Sequence, residues 1–216
     1  MTRSDTIRDR IRADILSGEL KFGVRLTLST LGSRYDSSHM PVREALRELH
    51  GEGLVQLEPN AGARVRGVTL DFIEALFEMR ASMEALTARR AADRIGAQDL
   101  VALQGAEDRL EQHASRGEIE QVIETNRGFH AIIQAVANNP YAAELANQHS
   151  PLLGALWRRF GYSRERLDGV ISDHRQIIQL LSEKDGQSVS QVAAAHVAKA
   201  KAALLRAMRK YGVDVP

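Results

Sequence analysis

The sequence from Ser37 to Val55, SSHMPVREALRELHGEGLV, combines the start, the body and the end of one amphipathic helix. Two serines precede Pro41, and proline is favoured in the first turn of a helix. Apolar residues then recur at steps of three and four and form one helical face, namely Val42, Ala45, Leu46 and Leu49. Arg43 and Arg47 lie on the opposite face. We expect a short helix that packs through its apolar face and presents arginines outward, which is typical of a helix that enters the major groove of DNA.

Two shorter helices precede this stretch and a hairpin follows it. Residues 4–17 and 27–35 both carry apolar residues at helical spacing. After Gly53 the apolar period changes from 3.6 to 2, in two short runs on either side of a turn that contains Asn60. Three helices followed by a hairpin predict a winged helix-turn-helix over residues 1–68, with the third helix reading DNA and the hairpin as the wing.

From residue 69 to residue 216 the pattern is helical throughout. The fold class is therefore mainly α, with the winged helix-turn-helix followed by an antiparallel bundle of about six helices. The predicted helices of the bundle cover residues 70–95, 97–115, 118–137, 141–161, 163–183 and 188–211.

Composition narrows the class of protein, its cellular compartment and the ligands that it could offer to a metal. Of the 216 residues, 44% are hydrophobic and 26% are charged, which is typical of a globular protein with a substantial core. No apolar run is long enough to span a membrane, and no secretory signal precedes the first helix, so we expect a cytoplasmic protein. Because the chain has no cysteine, any metal ligands must be His, Asp, Glu or Asn. Residues 1–70 have 11 Lys/Arg against 9 Asp/Glu, a weak basic bias that agrees with a nucleic-acid partner.

Three histidines interrupt the apolar faces of three different predicted helices. His174 lies among Val170, Ile171, Ile177 and Ile178, His196 lies among Val192, Val197 and Ala200, and His130 continues the row of Asn126 and Ile133. An unpartnered imidazole in an apolar core costs about 1–3 kcal/mol, so each ring needs a partner. One interpretation is three separate core histidines, each bonded to a carbonyl or carboxylate. The other is one shared site, in which three imidazoles and an oxygen ligand suit a divalent ion such as zinc or nickel.

Templates for other chemistry are absent from the sequence. We find no glycine-rich phosphate loop, no His-Glu-x-x-His motif and no serine in a nucleophile elbow. Arg80 and Glu84, one turn apart, predict an ion pair within one helix.

The N-terminal part resembles the winged helix of GntR-type transcriptional regulators. The matching residues are Phe22-Gly23, the run from Ser38 to Leu46, Leu49, the run from Glu52 to Val55, and the run from Pro59 to Ala63. The resemblance implies that this part contacts double-stranded DNA. It implies DNA contacts by Ser38, His39, Pro41, Arg43 and Arg47 in the reader helix and by Asn60, Gly62 and Arg64 in the wing.

The helical part is similar to the FCD effector domain, named for the fatty-acid-regulator subgroup of the same family. The matching residues are Arg80, Glu84, Asn126, Phe129-His130, Asn138, Asp173-His174, Asp185 and His196. The resemblance implies a divalent metal ion bound by His130, His174, His196 and the residue at Asn126. It also implies a small carboxylate-containing effector held with the help of the metal, and we take Arg80 as a candidate contact to that effector.

Three positions depart from the family pattern. His39 stands where arginine is usual, so we expect an operator that differs from the usual one, and Ala61 replaces a frequent arginine of the wing. Asn126 replaces the usual aspartate, which exchanges an anionic ligand for a neutral amide. The site would then hold its metal less tightly, or would bind the effector without metal.

The sequence as a whole predicts an effector-responsive transcriptional repressor that is not an enzyme. We expect a homodimer on a palindromic operator, as two-fold symmetric regulators use. The alternatives are a regulator that senses the metal itself and a histidine-site metalloenzyme. The metalloenzyme would not explain the presence of a winged helix.

Overall fold

The structure is a computed structural model that describes residues 3–58 and 62–212. The first part contains three helices and three short strands. These are α1 (Arg3–Ser17), β1 (Arg25–Leu26), α2 (Leu28–Tyr35), α3 (His39–Gly51), β2 (Val55–Glu58) and β3 (Gly62–Val65). This is the predicted winged helix-turn-helix.

Helix α3 forms as its sequence predicts. Ser38 is the N-cap residue in extended conformation, and Pro41 falls in the first turn, where its missing N–H is not needed. The predicted apolar face is confirmed, because Val42, Ala45, Leu46 and Leu49 are all at most 2% exposed. Two ion pairs from α1 also hold this helix, Arg8 with Glu48 on α3 and Arg12 with Glu52 at its C-terminal end.

The wing is part of a three-stranded antiparallel sheet in the order β1-β3-β2. Strand β1 is not among the predicted elements, because a strand of two residues has no recognisable periodicity and forms only through its pairing with β3. Gly62 has a φ of 92°, and a Cβ atom there would lie 2.5 Å from the carbonyl oxygen of Leu26, so the close approach of the strands requires glycine. Asn60 and Ala61 lie outside the described residues.

The remaining helices form the bundle. They are α4 (Leu70–Ala92), α5 (Ala97–Arg116), α6 (Ile119–Ala137), α7 (Pro140–Asn147), α8 (Ser150–Phe160), α9 (Arg164–Ser182) and α10 (Gly186–Tyr211). The prediction of one helix over 141–161 was wrong, since α7 and α8 are separate. Pro151 explains the break, because in a continuous helix its ring would clash with the carbonyl group of residue 147.

The described chain forms two compact units. One comprises the residues up to Leu70 together with Gln148–Ala155 and Gly212, and the other comprises Asp71–Asn147 with Leu156–Tyr211. Alanines of α4 and α5 pack closely with larger residues of α6, α9 and α10 in the core of the second unit, such as Phe129, Ile177 and Leu181. Among the described helices, none is long and apolar enough to cross a membrane.

Candidate functional site

The structure brings the three predicted histidines together inside the second unit. His130 lies on α6, His174 on α9 and His196 on α10, and one ring nitrogen of each lies within 4.8 Å of the other two. The ring centroids are 5.0–5.3 Å apart. Phe129 stacks on His174 at 3.9 Å and forms an apolar wall beside the cluster.

Each histidine has a carboxylate at its Nδ1 atom. His174 Nδ1 lies 2.6 Å from Glu107 Oε2, His196 Nδ1 lies 3.2 Å from Asp173 Oδ2, and His130 Nδ1 lies 3.3 Å from Glu84 Oε2. With Nδ1 occupied in this way, Nε2 is the ring atom that each histidine can offer to a ligand. His174 Nε2 is buried and has no hydrogen-bond partner among the described residues. A buried polar atom without a partner is costly, and at a functional site it indicates a missing ligand.

Burial keeps two of the rings neutral. It lowers the pKa of His130 to about 4 and holds the pKa of His174 well below its usual value. A neutral imidazole has a free lone pair, which is the form that binds a metal ion. At neutral pH these two rings are therefore in the state that coordination requires.

The residues fit a divalent ion of the zinc or nickel kind. Three convergent imidazoles are a frequent ligand set for such ions, and they leave further positions open. In metal sites the second ring nitrogen usually bonds to a carboxylate, which fixes the tautomer and the ring orientation. Here a carboxyl group faces the Nδ1 atom of each of the three histidines.

Asn126, the predicted oxygen ligand, lies one turn before His130 on α6 and is half-buried. Its side chain forms no hydrogen bond with another described residue, so the amide oxygen is free to take a ligand. Its coordination of a metal remains a prediction.

Arg80 and Glu84 form the predicted ion pair on α4, with Nη2 lying 2.8 Å from Oε1. The pair borders the histidine cluster, because the second oxygen of Glu84 faces His130. Burial acts to raise the pKa of Glu84, but His130 and the guanidinium of Arg80 beside it leave that pKa below its usual value. Arg80 Nε is buried and has no hydrogen-bond partner in the described part of the chain, which leaves Arg80 a candidate effector contact.

Two residues of this interior were missed by the sequence prediction. Glu107 occupies an otherwise apolar row of α5 with Leu103 and Leu110, and Arg166 occupies the row of α9 that contains Val170 and His174. A charged residue inside an apolar row was the available signal in both cases.

The residues predicted to read DNA lie on the exposed side of α3 and at its N-cap. Ser38, His39, Arg43 and Arg47 are all exposed, and Pro41 is half-buried. Arg47 forms an ion pair with Glu44 at 2.8 Å, whereas Arg43 has no such partner among the described residues. The turn between α2 and α3 forms an adjoining cleft with several hydroxyl groups, from Ser29, Ser33, Ser37 and Ser38.

Arg64, predicted to contact DNA from the wing, is already engaged within the sheet region. Its Nε donates to Glu58 at 2.9 Å and its Nη1 donates to the carbonyl oxygen of Gly23 at 2.7 Å. These bonds give Arg64 a structural role, and its DNA contact stays a prediction. The DNA contact of Gly62 also stays a prediction. The positive φ of this residue and the close approach of Leu26 already explain why it is glycine.

Comparison with known proteins identifies both parts. The family model for bacterial regulatory proteins of the gntR family matches residues 3–65, and the FCD domain model matches residues 75–199. The chain is 23% identical to the HTH-type transcriptional regulator YdhC of Bacillus subtilis, over 87% of this chain and 84% of YdhC. It is also 23% identical to the HTH-type transcriptional repressor RspR of Escherichia coli, over 87% of this chain and 82% of RspR.

A solved structure agrees with the fold over the whole chain. The structure of Escherichia coli McbR/YncC superimposes with a TM-score of 0.75 at 23% identity, covering 98% of this chain and 99% of that one. In sequence, McbR is 28% identical over 72% of this chain and 67% of its own length. The chain belongs to the gntR family of bacterial regulatory proteins, a family of transcriptional regulators rather than enzymes, and it carries an FCD domain.

Proposed function

We propose that the protein is an effector-responsive transcriptional repressor that acts in the cytoplasm as a homodimer on a palindromic operator. The gntR family and the similarity to the repressor RspR support this role. A two-fold dimer presents two reader helices to two half-sites, so the operator should have matching symmetry.

The exposed face of α3 supports the DNA-reading part of the proposal. Arg43 is exposed and forms no ion pair with the residues that the structure describes, so its guanidinium is available to a guanine edge or a phosphate. Serine hydroxyls beside it can bind the DNA backbone, which positions the helix without reading sequence. His39 cannot make the bidentate contact that arginine makes with guanine, so the preferred base at that position should differ from the family's usual one.

The observation that carries the effector part is the histidine cluster, in which His174 Nε2 has no hydrogen-bond partner within residues 3–58 and 62–212. His130, His174 and His196 would hold a divalent ion, with Asn126 as a further ligand. The ion would supply positive charge and open positions for the carboxylate of a small organic acid. The protein's own contribution is to hold the rings in a fixed orientation away from bulk water and to keep His130 and His174 neutral.

Coupling between acid and DNA would be a shift between two populations. Acid bound in the helical unit would favour an arrangement of the dimer that no longer matches the spacing of the half-sites. A coupling free energy of about 1–3 kcal/mol corresponds to a 5- to 150-fold change in operator affinity.

A regulator that senses the metal itself is the second candidate, since the histidine cluster alone would suffice for it. Operator affinity measured at varied metal and varied acid separates the two. A response to metal without acid favours the metal sensor, and a response to acid at constant metal favours the acid sensor. Absence of salt-sensitive, sequence-preferring DNA binding in every condition would contradict both.

A further inference from the structure

Arg166, on α9, is a buried cation that forms no ion pair with any described residue. Its residue is 7% exposed, and its Nε and Nη1 atoms are buried with no hydrogen-bond partner among the described residues. Burial lowers the pKa of Arg166, but an arginine remains charged at physiological pH. A buried charge normally has a partner, because desolvation of an unpaired ion costs several kcal/mol.

The two nearby acidic groups do not neutralise Arg166. Asp173 is bound by Lys199 at 2.5 Å and by His196 at 3.2 Å. Tyr162 keeps its proton, since burial raises the pKa of its hydroxyl to about 12. The positive charge of Arg166 is therefore left uncompensated within the described protein.

Arg166 belongs to the same interior as the histidine cluster. It precedes His174 by eight residues on α9, which places the two side chains on one helical face. The positive charge of Arg166 also contributes to the lowered pKa values of His130 and His174. Its contribution is smaller than those of burial and of the other charged groups. Arg80 differs from Arg166, because its charge is balanced by Glu84.

The interior thus has two places for negative charge. One is beside a divalent ion held by the histidine cluster, because imidazole ligands bring no negative charge to balance the ion. The other is the guanidinium of Arg166, whose planar N–H groups match a carboxylate. A ligand with a single carboxylate would satisfy only one of them.

We propose that Arg166 binds a second anionic group of the ligand, so that the FCD domain recognises a small organic acid with two anionic groups. This inference rests on the proposed function, in which the histidine cluster holds the first group. Arg166 is then the residue that gives the protein a higher affinity for a diacid than for the monoacid of the same chain length.

Isothermal titration of the full chain, zinc-loaded and metal-free, tests the assignment. The probes are malonate, succinate, glutarate and adipate, with propionate, butyrate, valerate and hexanoate as their monoacid counterparts. We expect at least one diacid to bind about 10- to 100-fold more tightly than its monoacid, the ratio that a charge-assisted pair supports. Arg166→Gln should remove that preference while metal content and monoacid affinity stay the same.

Two further variants separate binding from folding. Arg164→Gln changes an exposed arginine on the same helix and should leave every affinity unchanged. Arg166→Met removes the buried charge and keeps the length of the side chain. It should not lower the melting temperature of the ligand-free protein and should abolish stabilisation by the diacid, whereas an arginine that only held the fold together would cause a fall.

Three results would overturn the assignment. They are equal diacid affinity in Arg166→Gln and the native protein, equal affinity for diacids and monoacids, and no binding of any acid in the panel. Stabilisation by inorganic phosphate as strong as by any diacid would also overturn it, because one compact anion would then suffice. If Arg166-dependent diacid binding occurs but operator affinity never responds to the acid, the repressor proposal fails while the assignment of Arg166 stands.

Discussion

His174 Nδ1 lies 2.6 Å from Glu107 Oε2, and both side chains are completely shielded from solvent. The pair links α5 to α9 at the histidine cluster. Burial, with a smaller contribution from Glu111, raises the pKa of Glu107 to about 8. In the metal-free protein near neutral pH, Glu107 therefore carries a proton that it would not carry in the unfolded chain.

This proton makes the stability of the metal-free protein fall with pH above neutrality. Between pH 6.5 and 8 the folded state binds more protons than the unfolded state through Glu107, so the free energy of unfolding decreases. One proton changes it by about 1.4 kcal/mol per pH unit, so we expect a loss of about 1–2 kcal/mol over this window. Glu107→Gln should flatten the profile there, as measured by urea unfolding in the presence of a chelator.

Below pH 6.5 the slope should reverse. The pKa values of His130 and His174 are lowered in the folded state, so the unfolded chain binds more protons and stability increases as pH rises toward 6.5. Glu165→Gln, an exposed position on α9, serves as the control and should keep the native profile. The same slope above pH 6.5 in Glu107→Gln and the native protein would contradict the role of Glu107.

Metal binding should depend on the histidines of the cluster and on no other histidine. We expect about one zinc or nickel ion per chain in the native protein after dialysis, and a large loss of bound metal in His174→Ala and His196→Ala. His113→Ala is the matched control, because His113 lies outside the cluster and bonds to Glu118. Metal content by mass spectrometry checks this, with circular dichroism to confirm folding; unchanged content in His174→Ala would rule out the site.

Asn126→Asp should bind the divalent ion more tightly than the native protein. The substitution replaces a neutral amide oxygen with a carboxylate of nearly the same shape, one turn before His130. Competition with a fluorescent chelator measures the change in affinity. Equal affinity in the two proteins would mean that Asn126 does not coordinate the ion.

Arg43→Ala should weaken operator binding by about 10- to 100-fold, since one good arginine–base contact contributes about 1–3 kcal/mol. Arg43 is exposed and α3 packs through its other face, so the variant should unfold at the native temperature. Arg109→Ala, an exposed arginine on α5, is the control for a general loss of positive charge. Fluorescence anisotropy with labelled DNA at fixed salt gives the affinities, and native binding by Arg43→Ala would remove Arg43 from the interface.

The parts of the fold that follow from local pattern were predictable from sequence. Helix α3 was predicted from residues three and four apart, and a shared site for the histidines was one of the two interpretations of their places on apolar faces. The pairing of Glu107 with His174 was not predictable, since it joins residues 67 apart in sequence and depends on how α5 packs against α9. Strand β1 likewise exists only through its partner β3. Pro151 is a sequence signal for the break between α7 and α8, although the helical spacing predicted one helix over residues 141–161.

The most direct measurement is the dissociation constant of the zinc-loaded chain for DNA taken from upstream of its own gene, with and without a saturating diacid that the titrations identify. If the acid relieves repression, the chain should bind the DNA tightly and in a salt-sensitive way without the acid. With the acid, its affinity for the DNA should fall 5- to 150-fold. Arg43→Ala should bind weakly in both conditions, and Arg166→Gln should bind tightly in both. An operator affinity that is the same with and without the acid in the native protein would contradict the account.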